Sequence, residues 1–277
     1  MTNRSASRDL KDIKSKVGRM NEAIGEAEKQ SVYSWLRSTD PSKRYHQACE
    51  LYESDTGDWV FRTPEWKAWV AGRSRCVWIH GIPGAGKTIL ASHIIDTLKR
   101  MCRQGERTAC VYYYCYFGNR QDEAAPLLKW VIDRLCREAD VVPQCLYQLF
   151  RYGAEPSLAD LLHALEAILQ EFQTVYLVVD ALDESTPRVD TLRVMRDLAT
   201  DARFAKIRVL ATSRQYIDIE NAMSQFSSPI SMRNKWLDED IHLFIKTQLS
   251  TNRKLQRWPT DLQLAALEGL SAKANGM

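Results

Sequence analysis

The stretch "RCVWIHGIPGAGKTILASHIIDTLK", residues 75–99, sets an apolar run directly before a glycine-rich octet and follows it with an amphipathic segment. The octet, Gly81-Ile82-Pro83-Gly84-Ala85-Gly86-Lys87-Thr88, fits the pattern GxxxxGK[ST] in full, with a strand-like run before it and a helix-like run after it. Glycine admits backbone angles that a Cβ disfavours, so consecutive N–H groups can turn onto one concave surface and surround phosphate oxygens. A helix beginning near Gly86 adds the partial positive charge of its N-terminus. Lys87 supplies a full charge between β and γ phosphates, and Thr88 a hydroxyl for Mg2+. Gly81, Pro83, Gly84, Ala85, Gly86, Lys87 and Thr88 are thus the candidate phosphate-binding residues, set against the alternative of a glycine-rich turn with a purely structural role.

Outward from the octet the pattern alternates. "CVWIH" reads as a buried strand and 86–102 as a helix; "ACVYYYCYF" is a second strand and 124–138 a helix, with further helices at 143–150 and 157–171. "TVYLVVDAL" is a third strand, 187–200 a helix, "IRVLATS" a fourth strand, and "SSPISM" a short fifth. Strands continuous in apolar residues and separated by helices predict an α/β fold, a parallel sheet covered on both faces. Before this core, residues 31–73 mix helices with turns, and Thr63 and Pro64 suit the N-cap and first position of a helix. Leu10, Ile13, Val17, Met20, Ile24 and Ala27 form one narrow apolar seam, suited either to packing on the same domain or to a short coiled coil. After residue 236 the chain reads as helical and structural. The expected organisation is an N-terminal helix or linker (1–30), pre-core helices (31–73), a nucleotide-binding core (74–235) and the start of a helical subdomain (236–277).

A phosphate loop needs a carboxylate at the end of a neighbouring strand, and "VYLVVDALDES" supplies one in Asp180, which ends an apolar run. Together with Thr88 it is the candidate metal site. Asp183 and Glu184 follow within one turn, where a carboxylate either orients water for attack on a γ phosphate or forms a solvated acidic turn. The strand "IRVLATSR" ends in Thr212, Ser213 and Arg214. Arg214 there either reports a third phosphate or pairs with a nearby acid.

Composition narrows the remaining choices. The 277 residues, 45% hydrophobic, are enough for one large domain with appendages. No apolar run approaches the roughly 18 residues that a membrane span requires, and "MTNRSASRDLKD" lacks the apolar stretch of a secretion signal. A cytoplasmic protein without a membrane partner is therefore expected. Seven cysteines without a CxxC pair predict reduced structural thiols. A net charge of +3 gives no electrostatic argument for nucleic acid, and none is expected as a partner.

Taken together, "GIPGAGKT", "LVVDALDES" and "VLATSR", in this order and spacing, resemble the NACHT branch of the STAND NTPases. "TGDWVFRTPEWKAWV" and "LSAKANGM" resemble flanks of fungal NACHT receptors of the NOD-like type. The resemblance covers roughly residues 31–277. It implies a P-loop NTPase three-layer sandwich with sheet order 5-1-4-3-2, and a nucleotide switch with a closed diphosphate form and an open, oligomerising triphosphate form. Gly84 to Thr88 match the family's phosphate loop, Asp180 its magnesium-associated acid, Asp183 and Glu184 its extended acidic turn, and Arg214 its sensor arginine. Residues 56–62 correspond to the loop that borders the base. The implied cofactors are ATP/ADP, with GTP/GDP as the other choice, and Mg2+. The implied partners are further copies or other receptor domains. Family members continue into a winged helix and a repeat array, whereas this chain stops at Met277, so a closed state locked by winged-helix contacts is not expected here.

Three functions of different class fit these residues: a slowly hydrolysing signal switch of innate immunity or incompatibility, a scaffold that holds nucleotide without turnover, and a P-loop kinase or motor. The switch accounts for the acidic turn and the strand-end arginine. A kinase would need an acceptor pocket and an arginine-bearing lid, and a motor a strand-binding groove; neither is legible.

Overall fold

The computed structural model describes residues 25–37 and 39–273, the side chains of the last two excepted. Two helices, α1 over residues 25–36 and α2 (Ser42–Glu50), lead through a 3-10 turn at Asp58–Arg62 into α3 (Pro64–Val70). Thr63 caps α3, its hydroxyl accepting from the Trp66 N–H at 3.2 Å, with Pro64 in the first turn as the sequence predicts. The seam expected over residues 10–27 lies outside the described residues except for Ala27.

Five strands follow: β1 (Cys76–His80), β2 (Thr108–Tyr114), β3 (Thr174–Asp180), β4 (Ile207–Ser213) and β5 (Ser228–Ser231). They form one sheet in the order β2-β3-β4-β1-β5, every pairing parallel. Read from the other edge this is 5-1-4-3-2, so the fold is the α/β three-layer sandwich with a central parallel sheet. Helices α4 (Lys87–Cys102), α5 (Ala124–Ala139), α6 (Gln144–Tyr152), α7 (Leu158–Ile168), α8 (Val189–Thr200) and α9 (Ile217–Met223) cover it. The chain then forms a helical pair, α10 (Lys235–Thr251) and α11 (Thr260–Lys273).

Because side chains alternate across a strand, the sheet divides its apolar residues between two cores. Val175, Leu177 and Val179 of β3 with Ile207, Val209 and Ala211 of β4 face α1, α5, α7 and α8. Val77 and Ile79 of β1 with Val178 and Leu210 face α3 and α4, where Leu90, Ile94, Ile95 and Leu98 are buried. All seven cysteines are free thiols. No described helix is long and apolar enough to cross a membrane.

Two strands end earlier than their composition suggests. The second, expected to reach Phe117, stops at Tyr114: Cys115 still donates to the Asp180 carbonyl at 3.0 Å, but β3 ends there, and Phe117–Asn119 forms a 3-10 turn. The third stops at Asp180 because Ala181 adopts a left-handed conformation, φ 59°, which turns the chain into the 3-10 turn Leu182–Glu184. That early stop points the acidic turn back across the end of β4.

Leu177 is fully buried at the centre of the sheet. Truncation by Leu177→Ala is expected to cost about 2–5 kcal/mol, read as a lower urea midpoint.

Candidate nucleotide site

At the carboxyl end of β1 the octet turns from strand to helix, and α4 begins at Lys87. Gly84 (φ 80°) and Gly86 (φ 81°) supply the two left-handed turns that curl the loop. Gly81 is small for another reason: a Cβ there would stand 2.7 Å from that of Met232, just past β5. The opening N–H groups of α4, unpaired within the helix, thus face the hollow of the loop.

Lys87 spans this hollow, donating from Nζ to the carbonyls of Gly81 (2.9 Å) and Ile82 (2.8 Å). Burial lowers its pKa, while Asp183 and Asp180 act in the opposite sense. Both acceptors are neutral, so an anion entering the loop would take the ammonium from them at little cost.

One strand away lies Asp180, 2% exposed. Thr88 donates to its Oδ2 at 2.8 Å and Thr212 of β4 to its Oδ1 at 2.5 Å; the Ala181 N–H in turn donates to the Thr212 hydroxyl at 3.0 Å. Burial pushes the Asp180 carboxyl up to about 6, with the bonds from Thr212 and Thr88 opposing. The Tyr114 hydroxyl, buried at the neighbouring end of β2, lacks a hydrogen-bond partner among the described residues, and Asp180 is the foremost charge acting on it after burial itself. A desolvated carboxylate, an alcohol and an unpartnered hydroxyl fit a hydrated Mg2+, whose ligands are oxygens and whose waters seek acceptors. Among the described residues no group of three or more His, Cys, Asp or Glu is arranged to hold a metal on its own.

The acidic turn divides into two unlike carboxylates. Asp183, 6% exposed, accepts from the Arg214 N–H through Oδ1 (2.9 Å) and forms an ion pair with Arg214 Nε through Oδ2 (3.2 Å), so Arg214 engages both oxygens. Arg214 also donates to the Tyr216 hydroxyl at 3.2 Å, and its side chain is 43% exposed. Of the two readings left open for this arginine, the structure has it paired with an acid. Glu184 is held more loosely, accepting from the Phe117 N–H at 3.3 Å with Arg44 of α2 at 3.8 Å. The Arg44 guanidinium stacks on the Tyr116 ring, 3.8 Å from its centroid.

Two cavities flank the loop. One, about 450 Å³, lies between Gly84–Gly86, the segment around Tyr52, Gly57 and Trp59, and α10. Residues 56–62, expected to border the base, supply part of its wall. The other part comes from α10, which the sequence presented as merely structural: Asp240 accepts from the Gly57 N–H at 2.7 Å, and the Trp59 and Trp236 rings stack 6.2 Å apart. The second cavity, about 1070 Å³, runs from Gly81–Pro83 to Arg214 and Arg233. Thr212, Arg44 and Asp240 are the residues that sequence reasoning left without a role, whereas Trp59 lay within the segment 56–62 expected to border the base. Only Thr212, at the end of an apolar strand, carried a local signal.

A parallel sheet of this order, a glycine-rich loop after β1 and a buried carboxylate at the end of β3, one strand removed, define a P-loop NTPase module of the NACHT type. Residues 55–214 match the family model described as Nephrocystin 3, N-terminal, and the chain belongs to that family. Over 218 residues it is 27% identical to the Vegetative incompatibility protein HET-E-1 of Podospora anserina, an alignment that covers 74% of this chain and 16% of that protein's length. Among solved structures it is similar to the Aeropyrum pernix ORC1 protein in complex with DNA, with 12% identity and a TM-score of 0.50 over 86% of this chain and 57% of the other. The Aeropyrum pernix ORC2 protein, in ADPNP-ADP complexes, aligns over 76% and 55% of the two chains, with 14% identity and a TM-score of 0.45. The likeness to ORC1 extends to the fold alone, while the family and HET-E-1 matches agree with the resemblance to fungal NOD-like receptors.

The folded-state pKa of Asp180 lies above the ordinary carboxyl value, so its ionised form costs stability above pH 6, and the cost fades as pH falls through 6 towards 4. In metal-free protein at pH 7.5, Asp180→Asn is expected to raise stability by up to about 3 kcal/mol. The gain should shrink below pH 6, and the extra stabilisation conferred by Mg2+ with nucleotide should be lost; thermal melts across pH check both.

Proposed function

We propose that this chain is a nucleoside-triphosphate-binding, slowly hydrolysing switch module of a NOD-like receptor. The observation that carries the reading is the convergence of the loop amides, Lys87, Thr88 and Asp180 at the ends of β1 and β3, one strand apart, within 2.8 Å where Thr88 meets Asp180. On this reading Gly81, Pro83, Gly84, Ala85 and Gly86 shape the phosphate cradle, Lys87 bridges the β and γ phosphates, and the cavity behind Gly84–Gly86 takes the base. Thr88 and Asp180 hold Mg2+, which would neutralise charge on the phosphate oxygens.

The two acids then take different parts. Glu184 has lone pairs free to orient a water, whereas Asp183, committed to Arg214, fixes that arginine at the end of β4. Arg214 is the group placed to respond to a third phosphate, since it borders the larger cavity along Gly81–Pro83 and its outer face is open. Slow turnover follows from this economy: without a further cation supplied by a partner, positioning and charge neutralisation are incomplete.

The same reading divides the chain into a linker or helix (1–30), pre-core helices (31–73), the nucleotide-binding core (74–235) and a helical subdomain (236–277). ATP and ADP are the favoured nucleotides, with GTP and GDP the alternative. Action in the cytoplasm, self-association or contact with other receptor domains, and a role in innate immunity or incompatibility belong to this proposal.

Lys87→Ala is expected to weaken binding of the Mg2+ nucleotide at least about 100-fold in titration calorimetry, since a charged contact to phosphate is lost from a partly buried site. An affinity equal to the parent's would overturn the reading. Glu184→Gln should leave affinity within about twofold and lower single-turnover hydrolysis about 100-fold; binding without any turnover in the parent would leave a scaffold that does not hydrolyse, and parental turnover that the variant leaves unchanged would remove Glu184 from the reaction.

A further inference from the structure

The cavity behind the phosphate loop is apolar with few polar exceptions, and two of these stand together. Among the described residues the Trp59 indole N–H, on a residue 4% exposed, makes no hydrogen bond of normal geometry, although it lies close enough to Asp240 to act on its carboxylate as a donor. Asp240, reaching in from α10, is half-buried and uses Oδ2 to accept from the Gly57 N–H at 2.7 Å. Burial pushes its carboxyl up, while the Gly57 N–H and the Trp59 indole favour the charged form. The other polar side chains of the wall are engaged within their own segment: Tyr52 donates to the Thr56 carbonyl (3.1 Å) and Thr56 to the Glu53 carbonyl (2.8 Å). Glu53 also meets Gln248 of α10 at 3.5 Å.

A buried donor beside an acceptor with lone pairs to spare is left for the ligand to complete, because an unpaired polar group in an apolar wall is costly. We propose that Asp240 and Trp59 form the base-selecting pair of this site, Asp240 accepting from the exocyclic amine of adenine and Trp59 donating to an adjacent ring nitrogen. The inference rests on the nucleotide-binding reading above. Adenine places an acceptor beside its amine on both edges, N1 on one and N7 on the other, and so satisfies the pair whichever edge enters. Guanine turns two acceptors, O6 and N7, to one edge, which sets lone pairs against the Asp240 carboxylate. On its other edge it turns two adjacent N–H donors, which call for both carboxylate oxygens, one of them already holding Gly57.

Because Asp240 lies on α10 and Gly57 precedes the core, the pair also makes base identity depend on how the helical pair sits against the core. A site that pairs a base through buried groups rejects the base that leaves them unpaired far more strongly than an apolar slot can.

The test is titration calorimetry of the full chain with the Mg2+ complexes of ADP, GDP and IDP. The parent should bind ADP at least about tenfold more tightly than GDP or IDP, since each of those replaces the 6-amine by a carbonyl. In Asp240→Asn the amide oxygen can keep the Gly57 bond while its N–H2 faces the base, so the ADP:GDP affinity ratio should fall at least about tenfold. Trp59→Phe, which keeps the ring and loses the N–H, should lower the same ratio in a protein that melts within a few degrees of the parent. A ratio that both variants leave unchanged, or a parent that binds ADP and GDP equally, overturns the base-selecting role while nucleotide binding stands. A parent that binds no nucleotide overturns both.

Discussion

The site depends on one constraint of sheet topology: β4 lies between β1 and β3, so the carboxylate that closes β3 stands one strand away from the loop that closes β1. At that distance Thr88, in the first turn of α4, reaches Asp180 from one side and Thr212, at the end of the intervening strand, reaches it from the other. Had the strands been direct neighbours, the loop and the carboxylate would crowd one another, with no strand end between them to carry Thr212, Ser213 and Arg214. Burial of Asp180 is the consequence of this placement. A carboxylate kept so dry is poorly suited to an empty site and well suited to one that receives a cation.

From the same placement comes the division of labour in the acidic turn. The left-handed Ala181 aims Leu182–Glu184 back over the strand ends, Leu182 into the core and its two acidic neighbours towards the site. Asp183 meets the backbone and guanidinium of Arg214, and Glu184 meets the turn after β2 and Arg44 from the pre-core helix. The site is therefore assembled from the ends of four strands, with one contribution from the pre-core segment and another, through α10, from the helical pair. Any rearrangement of either flanking element would change the surroundings of the base cavity or of Glu184 without disturbing the phosphate cradle itself.

Much of this was legible in the residues. The strands are continuous apolar runs, the octet is a local pattern with a local cause, and Asp180 declares itself by ending such a run. The strand limits at Phe117 and Leu182 were misjudged because apolar residues continue past the point where the neighbouring strand stops, and pairing is not a local property. Arg44 and Asp240 stayed silent for the same reason: the bond from Gly57 to Asp240 joins positions 183 residues apart, and nothing near either residue foretells it. The pairing of Arg214 with Asp183 was one of the readings open from sequence, and it arises from the closeness of β4 to the acidic turn, which no local pattern reveals.

The central claim is that main-chain amides and Lys87 converge at the end of β1 to hold a nucleotide polyphosphate. Chromatography of the supernatant after denaturing the purified protein tests it most directly, since it reads binding, base and phosphorylation state together. The account predicts an adenine di- or triphosphate released in near-equimolar amount, or taken up to that level after incubation with the Mg2+ nucleotide and desalting. No nucleotide released in either case would contradict it.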